Sequence, residues 1–315
     1  MYESYYGLTN LPFRLNPDPA FLFESLGHRR AMANLEYGIH KREGFIVVTG
    51  DVGTGKTTLV QRLLQKLPPE QIVAAQIVST LFDPDDVLRL VATSFGVDAA
   101  GADKPGVLNA LIQYFVALHS EGKRALLIVD EAQNLSVSAI EELRMLSNYQ
   151  IGNESLLQTF LMGQPEFRDI IDSPALAQLR QRVLATYHLG PLAPAEIRSY
   201  IEHRLKLAGW SNHPNIEDDA FDAVYTNTDG VPRRINALFD RVLLAGFLNE
   251  QAVIKASDVN EVGSEMLPAV SDHSRIVTET QQGGSHFEQS LARISQQLDS
   301  IQMAVQQLQI EPKKS

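Results

Sequence analysis

Residues 44–59 read GFIVVTGDVGTGKTTL, and the fold is decided there. Phe45, Ile46, Val47 and Val48 form an uninterrupted apolar run that closes on Thr49-Gly50, the pattern of a strand buried on both faces. From Thr57 the periodicity changes: Leu59, Leu63, Leu64 and Leu67 recur at helical spacing until Pro68-Pro69 stops them. Between strand and helix lies Gly50-Asp51-Val52-Gly53-Thr54-Gly55-Lys56-Thr57, which satisfies GxxxxGK[ST] in the strand–loop–helix context that a phosphate loop needs. Glycine lets the backbone wrap closely enough for successive N–H groups to face phosphate oxygens, and the helix N-terminus adds a favourable dipole. Lys56 is expected to reach the β and γ phosphates, and Thr57 to offer its hydroxyl to Mg²⁺. Thr58 completes the nucleotide-binding stretch in sequence, although its position reads as helix surface or packing. The expected ligands are ATP and Mg²⁺.

Working outward, strands are expected at 71–78, 125–133, 156–163 and 184–190, and helices at 83–96, 107–119 and 136–149. Strands alternating with helices predict a parallel sheet wrapped on both faces, an α/β core over residues 1–190. The third strand, ALLIVDEAQ, ends in Asp130-Glu131. Strand-end carboxylates beside the first strand–helix loop lie where open α/β sheets bind ligands. Asp130 is expected to hold Mg²⁺ through its water shell, and Glu131 to orient and deprotonate the attacking water. The fourth strand ends at Gly163-Gln164. If that strand runs between the phosphate-loop strand and the Asp130 strand, Gln164 can sense the γ-phosphate or position water. Arg180 and Arg182, in LRQRV, precede the fifth strand. An arginine supplied to a neighbouring copy's nucleotide greatly accelerates related phosphoryl transfers, and Arg182 is favoured over Arg180 for that role.

After Pro191 only helical patterns remain, near 194–208, 217–227, 232–248 and 256–263, predicting a small all-α lid domain over residues 191–266. Gly230-Val231-Pro232-Arg233-Arg234 opens the third of these helices, and Arg233 is expected to fold back on the phosphates. Residues 267–285 shift to Ser, Thr, Gln and Gly and read as a flexible linker. Beyond it Phe287, Leu291, Ile294, Leu298, Ile301, Val305 and Leu308 recur at alternating intervals of 4 and 3, a heptad seam that predicts a coiled-coil helix over 286–310. Its expected use is self-assembly or docking of a coiled-coil partner, the alternative being a helix that folds back on its own domain.

Composition narrows the function classes. The 315 residues carry 27 Lys plus Arg against 38 Asp plus Glu, a net charge of −11, and no dense basic run, so nucleic acid is a disfavoured partner. There is no cysteine, which removes disulfides, thiolate zinc sites and cysteine nucleophiles together. His28, His40, His119 and His203 are scattered without a metal-ligand spacing. No run of about 18 apolar residues spans a bilayer, and the N-terminus lacks a basic segment followed by an apolar core. A cytoplasmic protein without its own membrane span is expected.

Together these segments resemble the AAA+ ATPases of the general secretion pathway protein A (ExeA-like) family, in particular its secretion ATPase branch found beside exosortase and PEP-CTERM exopolysaccharide loci. The likeness is carried by YYGLTNLPFRLNPDPAFLF at 5–23, GHRRAMANLEYGI at 27–39, the phosphate loop, LLIVDEAQNL at 126–135, FLMGQPEF at 160–167, LRQRV at 179–183 and GVPRRIN at 230–236. The resemblance implies Gln164 as sensor 1, Arg182 as arginine finger, Arg233 as sensor 2 and the N-terminal aromatic and proline segment as a flap on the adenine side. It implies homo-oligomers, rings among them, working with a membrane-associated export or polysaccharide-assembly partner. Where secretion pathway members continue into a membrane helix and a peptidoglycan-binding part, this sequence has the linker and heptads, so a membrane link is expected to run through a partner. Transposition helper ATPases share much of the same core. A DNA-associated ATPase and a nucleotide-controlled scaffold are therefore the rival readings.

Overall fold

A computed structural model describes residues 1–16, 18–78 and 84–266. The linker and coiled coil expected at 267–285 and 286–310 lie outside the described residues. Residues 1–263 make one compact unit, and the second, 264–315, is described only through Met266.

Five parallel strands form the central sheet: β1 Phe45–Thr49, β2 Ile72–Val78, β3 Arg124–Asp130, β4 Leu157–Gly163 and β5 Val183–His188. Their order is β2-β3-β4-β1-β5. The continuous apolar runs split with the period of the pleat. Phe45, Val47, Leu127 and Val129 pack into one core, while Ile46, Val48, Leu126 and Ile128 pack into the other. Helices α4 Pro84–Ser94, α5 Lys104–Ser120, α6 Val137–Leu146, α7 Glu166–Asp172 and α8 Ala177–Arg180 cover the first face. The second face is covered by α2 Leu26–Lys41 and α3 Lys56–Lys66. This is the doubly covered α/β sheet that the alternating pattern predicts. Insertion of β4 between β1 and β3 brings the carboxyl ends of three strands side by side above the phosphate loop.

The helix α2 approaches β1 closely because Gly38 has no side chain. A Cβ built there would stand 2.5 Å from Ile46 Cγ1 and 2.7 Å from its Cδ1, and Ile46 is fully buried. Gly38→Ala is therefore expected to destabilise the protein. Overpacking costs about 1–3 kcal/mol, only partly offset by about 1 kcal/mol of better helix propensity. Urea unfolding would show a lower midpoint at unchanged slope; an unchanged or higher midpoint would contradict the close packing.

The chain after Pro191 is helical: α9 Pro194–Leu207, α10 Asp218–Thr228, α11 Pro232–Leu248 and α12 Ala256–Met266. It also holds one short strand pair. Asn215–Ile216 pairs in parallel with Val253–Ile254, burying Ile216 and Ile254 and joining the segments that lead into α10 and α12. A second two-residue ladder, Gln150–Ile151 against Glu154–Ser155, precedes β4. Two residues are too short to display strand alternation, so neither ladder has a sequence signature.

The N-terminal segment, which opens with helix α1 Tyr2–Tyr6, is fastened to these helices by backbone as well as side chains. The Thr9 N–H donates to Ala208 O at 2.8 Å, and Arg204 Nε donates to Pro12 O at 2.7 Å. Phe13 is buried against Phe239, ring centroids 5.1 Å apart. Arg204 is itself buried, its guanidinium ringed by Phe13, Phe21 and Tyr200 at 5.2–5.9 Å from the ring centroids, where aromatic faces stabilise a cation.

Candidate active site

A cleft of about 350 Å³ opens above the carboxyl ends of the strands. Its floor is the phosphate loop, Val52 to Thr58; its walls are Glu131, the start of α11 at Pro232 and Arg233, and the N-terminal segment around Arg14 to Phe23. Gly53 and Gly55 have φ of +87° and +100°, a region that side chains disfavour. Gly55 is also the N-cap of α3, so the loop delivers its amides to a helix N-terminus. Lys56 is buried, with its ammonium donating to Gly50 O at 2.6 Å and Asp51 O at 3.0 Å. Burial lowers its pKa against the opposing pull of Glu131, Asp130, Asp51 and Glu166, so this lysine sits where a polyanion would restore its preference for charge.

Helix α11 docks on the loop. The Arg233 N–H donates to Gly53 O at 3.1 Å, and a Cβ on Gly53 would stand 2.5 Å from Arg233 Cβ. Arg233 thus stands over the phosphate loop, in the wall of the cleft. Beneath the loop, His28 is buried and its Nε2 would lie 2.7 Å from a Cβ on Gly55. Its Nδ1 is 2.7 Å from Ser25 Oγ, which also accepts the His28 N–H and caps α2. Burial pushes the imidazole pKa down, favouring the neutral ring. The sequence offered this only as a serine three residues ahead of a histidine.

At the heads of β3 and β4 the acidic pair meets its partners. Thr57 Oγ1 donates to Asp130 Oδ2 at 2.9 Å, bringing together a hydroxyl and a carboxylate, the hard oxygen donors that Mg²⁺ takes. Asp130 is buried, and this burial raises its pKa despite the bonds from Thr57 and the Glu131 N–H. A cation beside it would reverse that penalty, so the residues present fit the metal. Glu131 has a left-handed backbone, φ 54°, and faces the cleft. Burial opposes its ionisation, but hydrogen bonds from Gln133 and Gln164 and the charge of Lys56 together outweigh it and hold the pKa below the ordinary value. Gln164 Nε2 donates to Glu131 Oε2 at 3.2 Å. Gln133, to which the sequence reading assigned nothing, donates from Nε2 to the same oxygen at 2.6 Å and accepts the Gln164 N–H at 3.0 Å.

The geometry therefore gathers Gly50 to Thr58, Asp130, Glu131, Gln164 and Arg233 into one neighbourhood. Arg182 is elsewhere. It precedes β5 at the foot of the sheet, where its carbonyl accepts the Phe45 N–H at 2.9 Å. The strand β1 separates it from the loop by about 13 Å at ordinary strand rise. Its side chain is exposed, whereas Arg180 Nη1 is engaged by Asp172 O at 2.7 Å.

The chain resembles known proteins in sequence and in fold. The family model described as an AAA domain matches residues 39–171. General secretion pathway protein A of Aeromonas hydrophila is 36% identical over 270 residues, 84% of this chain and 48% of that protein; the chain spans about half the length of the relative it matches. Among solved structures, the Aeropyrum pernix ORC2 protein in ADPNP–ADP complexes superposes with a TM-score of 0.62 at 17% identity, covering 81% of this chain and 71% of that one. Cdc6p from Pyrobaculum aerophilum gives 0.64 at 16%, covering 87% and 73%. The Thermotoga maritima RuvB Holliday junction branch migration motor gives 0.53 at 17%, covering 78% and 72%. At these identities the structural likeness is one of fold.

Proposed function

We propose that this chain, a P-loop AAA+ ATPase related to general secretion pathway protein A, hydrolyses ATP with Mg²⁺ as an oligomer and uses the cycle to drive or assemble an envelope export or exopolysaccharide system. The observation that carries hydrolysis, beyond binding, is the Glu131 carboxylate: it faces the same cleft as Lys56 and is held ionised there. A carboxylate so placed can accept the proton of an attacking water. The phosphate-loop amides and Lys56 hold the triphosphate. Thr57 and Asp130 would hold Mg²⁺, which when bound neutralises charge on the phosphate oxygens. Gln164, bonded to Glu131, senses the γ-phosphate or positions the water, Arg233 closes from α11, and Arg182 serves the site of a neighbouring copy.

Support for the envelope role comes from the likeness to a secretion pathway protein over most of this chain. No helix among the described residues is long and apolar enough to cross a membrane; attachment at the cytoplasmic face of a membrane through a partner is part of the proposed reading.

The enzymatic part is tested with Lys56→Ala. Removing a preorganised charge aimed at phosphate oxygens is expected to lower kcat/KM for phosphate release about 100-fold or more; equal rates for variant and wild type would overturn it. The envelope part is tested by affinity purification from the native host using Glu131→Gln to hold nucleotide-bound complexes. Recovery of a membrane-associated export or polysaccharide-assembly protein is expected. Retention on duplex DNA with strong salt dependence, without such a protein, would favour the DNA-associated alternative instead.

A further inference from the structure

Gln133 lies in the single 3-10 turn Ala132–Asn134 that follows Glu131, and both ends of its amide are used. Oε1 accepts the Gln164 backbone N–H at 3.0 Å, while Nε2 donates to Glu131 Oε2 at 2.6 Å. The first bond fixes the orientation of the amide: an acceptor must face the Gln164 N–H, so the two donors must face the carboxylate. Gln164 Nε2 reaches the same Oε2 at 3.2 Å. One oxygen of Glu131 therefore receives two amide donors, and among the described residues its other oxygen keeps its lone pairs for a further donor. The backbone beneath is in the left-handed region, φ 54°, a conformation that persists only when its surroundings hold it.

We propose that Gln133 is a positioning residue for hydrolysis: it clamps one oxygen of Glu131 so that the other is presented to the attacking water, and it ties Glu131 to the head of β4 so that this base and Gln164 move as one. The proposal rests on the hydrolytic reading of the cleft. Gln133 itself forms and breaks no covalent bond; the water proton goes to Glu131.

The test is Gln133→Met, which keeps side-chain length and removes every donor and acceptor. Nucleotide affinity and KM are expected to stay at wild-type values while kcat falls about tenfold, a fraction of what a general base contributes. A merely structural glutamine would instead raise KM and lower the unfolding midpoint along with any loss of kcat. If the methionine variant does not fold, Gln133→Glu supplies the same readout. Its carboxyl keeps an acceptor towards the Gln164 N–H but offers Glu131 no donor, so kcat is expected to fall with KM unchanged. An unchanged kcat overturns the proposal, as does a loss of kcat matched by a rise in KM, and as does a rise in kcat, which would make the contact an inhibitory latch. A wild type that releases no phosphate overturns the hydrolytic reading and this proposal with it, whereas a hydrolysing wild type matched by its Gln133 variants overturns the proposal alone.

Discussion

Glu131→Gln is expected to lower steady-state phosphate release about 10²- to 10⁴-fold, the range set by loss of a positioned general base, while ATP and Mg²⁺ still bind. The separation follows from what each group touches. On the proposed reading the phosphate-binding groups are the loop amides and Lys56, and the oxygens that would face the metal are those of Thr57 and Asp130, which contact each other at 2.9 Å. None of these is altered by the substitution. Glutamine matches glutamate in shape and keeps one oxygen for the donors of Gln133 and Gln164, so the heads of β3 and β4 stay joined. What disappears is the lone-pair basicity that accepts a proton. Nucleotide affinity by fluorescence titration and phosphate release under saturating ATP make the check. A variant that turns over at the wild-type rate would show that Glu131 is not the base; one that no longer binds nucleotide would show that its charge holds the cleft together.

The phosphate loop and the strand-end acidic pair were legible in the sequence because each is local. Phe45 to Thr57 carries its own strand, turn and helix signals, and Asp130-Glu131 follows an apolar run whose end is self-evident. Gln133 was not legible. Its meaning depends on a backbone N–H 31 residues later, and the two meet only because β4 inserts between β3 and β1. A glutamine in a short turn after a strand reads as solvated loop until that strand order is known. His28 was hidden for a similar reason, since burial under Gly55 is a property of how α2 packs and not of the sequence around it. The N-terminal segment announced itself only as aromatic and proline-rich. Without periodicity nothing in it said that its carbonyls at Pro12 and Arg14 would be bound by Arg204 and Asn236. Arg182 was legible as a residue just ahead of the fifth strand; that this puts it at the far end of the sheet from the loop follows from the parallel pairing of Phe45 with Val183 and of Thr49 with His188.

That placement leads to the second large effect. Arg182→Ala is expected to lower kcat about 10³-fold, the lower range for an arginine acting on phosphoryl-transfer charge, with nucleotide affinity little changed. Arg182 is separated from its own chain's phosphate loop by the length of β1, about 13 Å, and its side chain is exposed at the foot of the sheet. On our proposed reading it therefore acts on the nucleotide of an adjacent copy, and the loss must be repairable by mixing. Arg182→Ala subunits have an intact Glu131 but offer no finger, while Glu131→Gln subunits offer the finger but have no base. In co-assembled oligomers an Arg182→Ala site can receive Arg182 from a Glu131→Gln neighbour, so the mixture of two inactive proteins is expected to regain phosphate release. If Arg182 served only its own chain, every site in the mixture would still lack one of the two groups and the rate would stay at the sum of the separate variants. A structural role for Arg182 gives the same null mixture, accompanied by a lowered unfolding midpoint. Recovery on mixing is thus the outcome that only a site shared between copies produces.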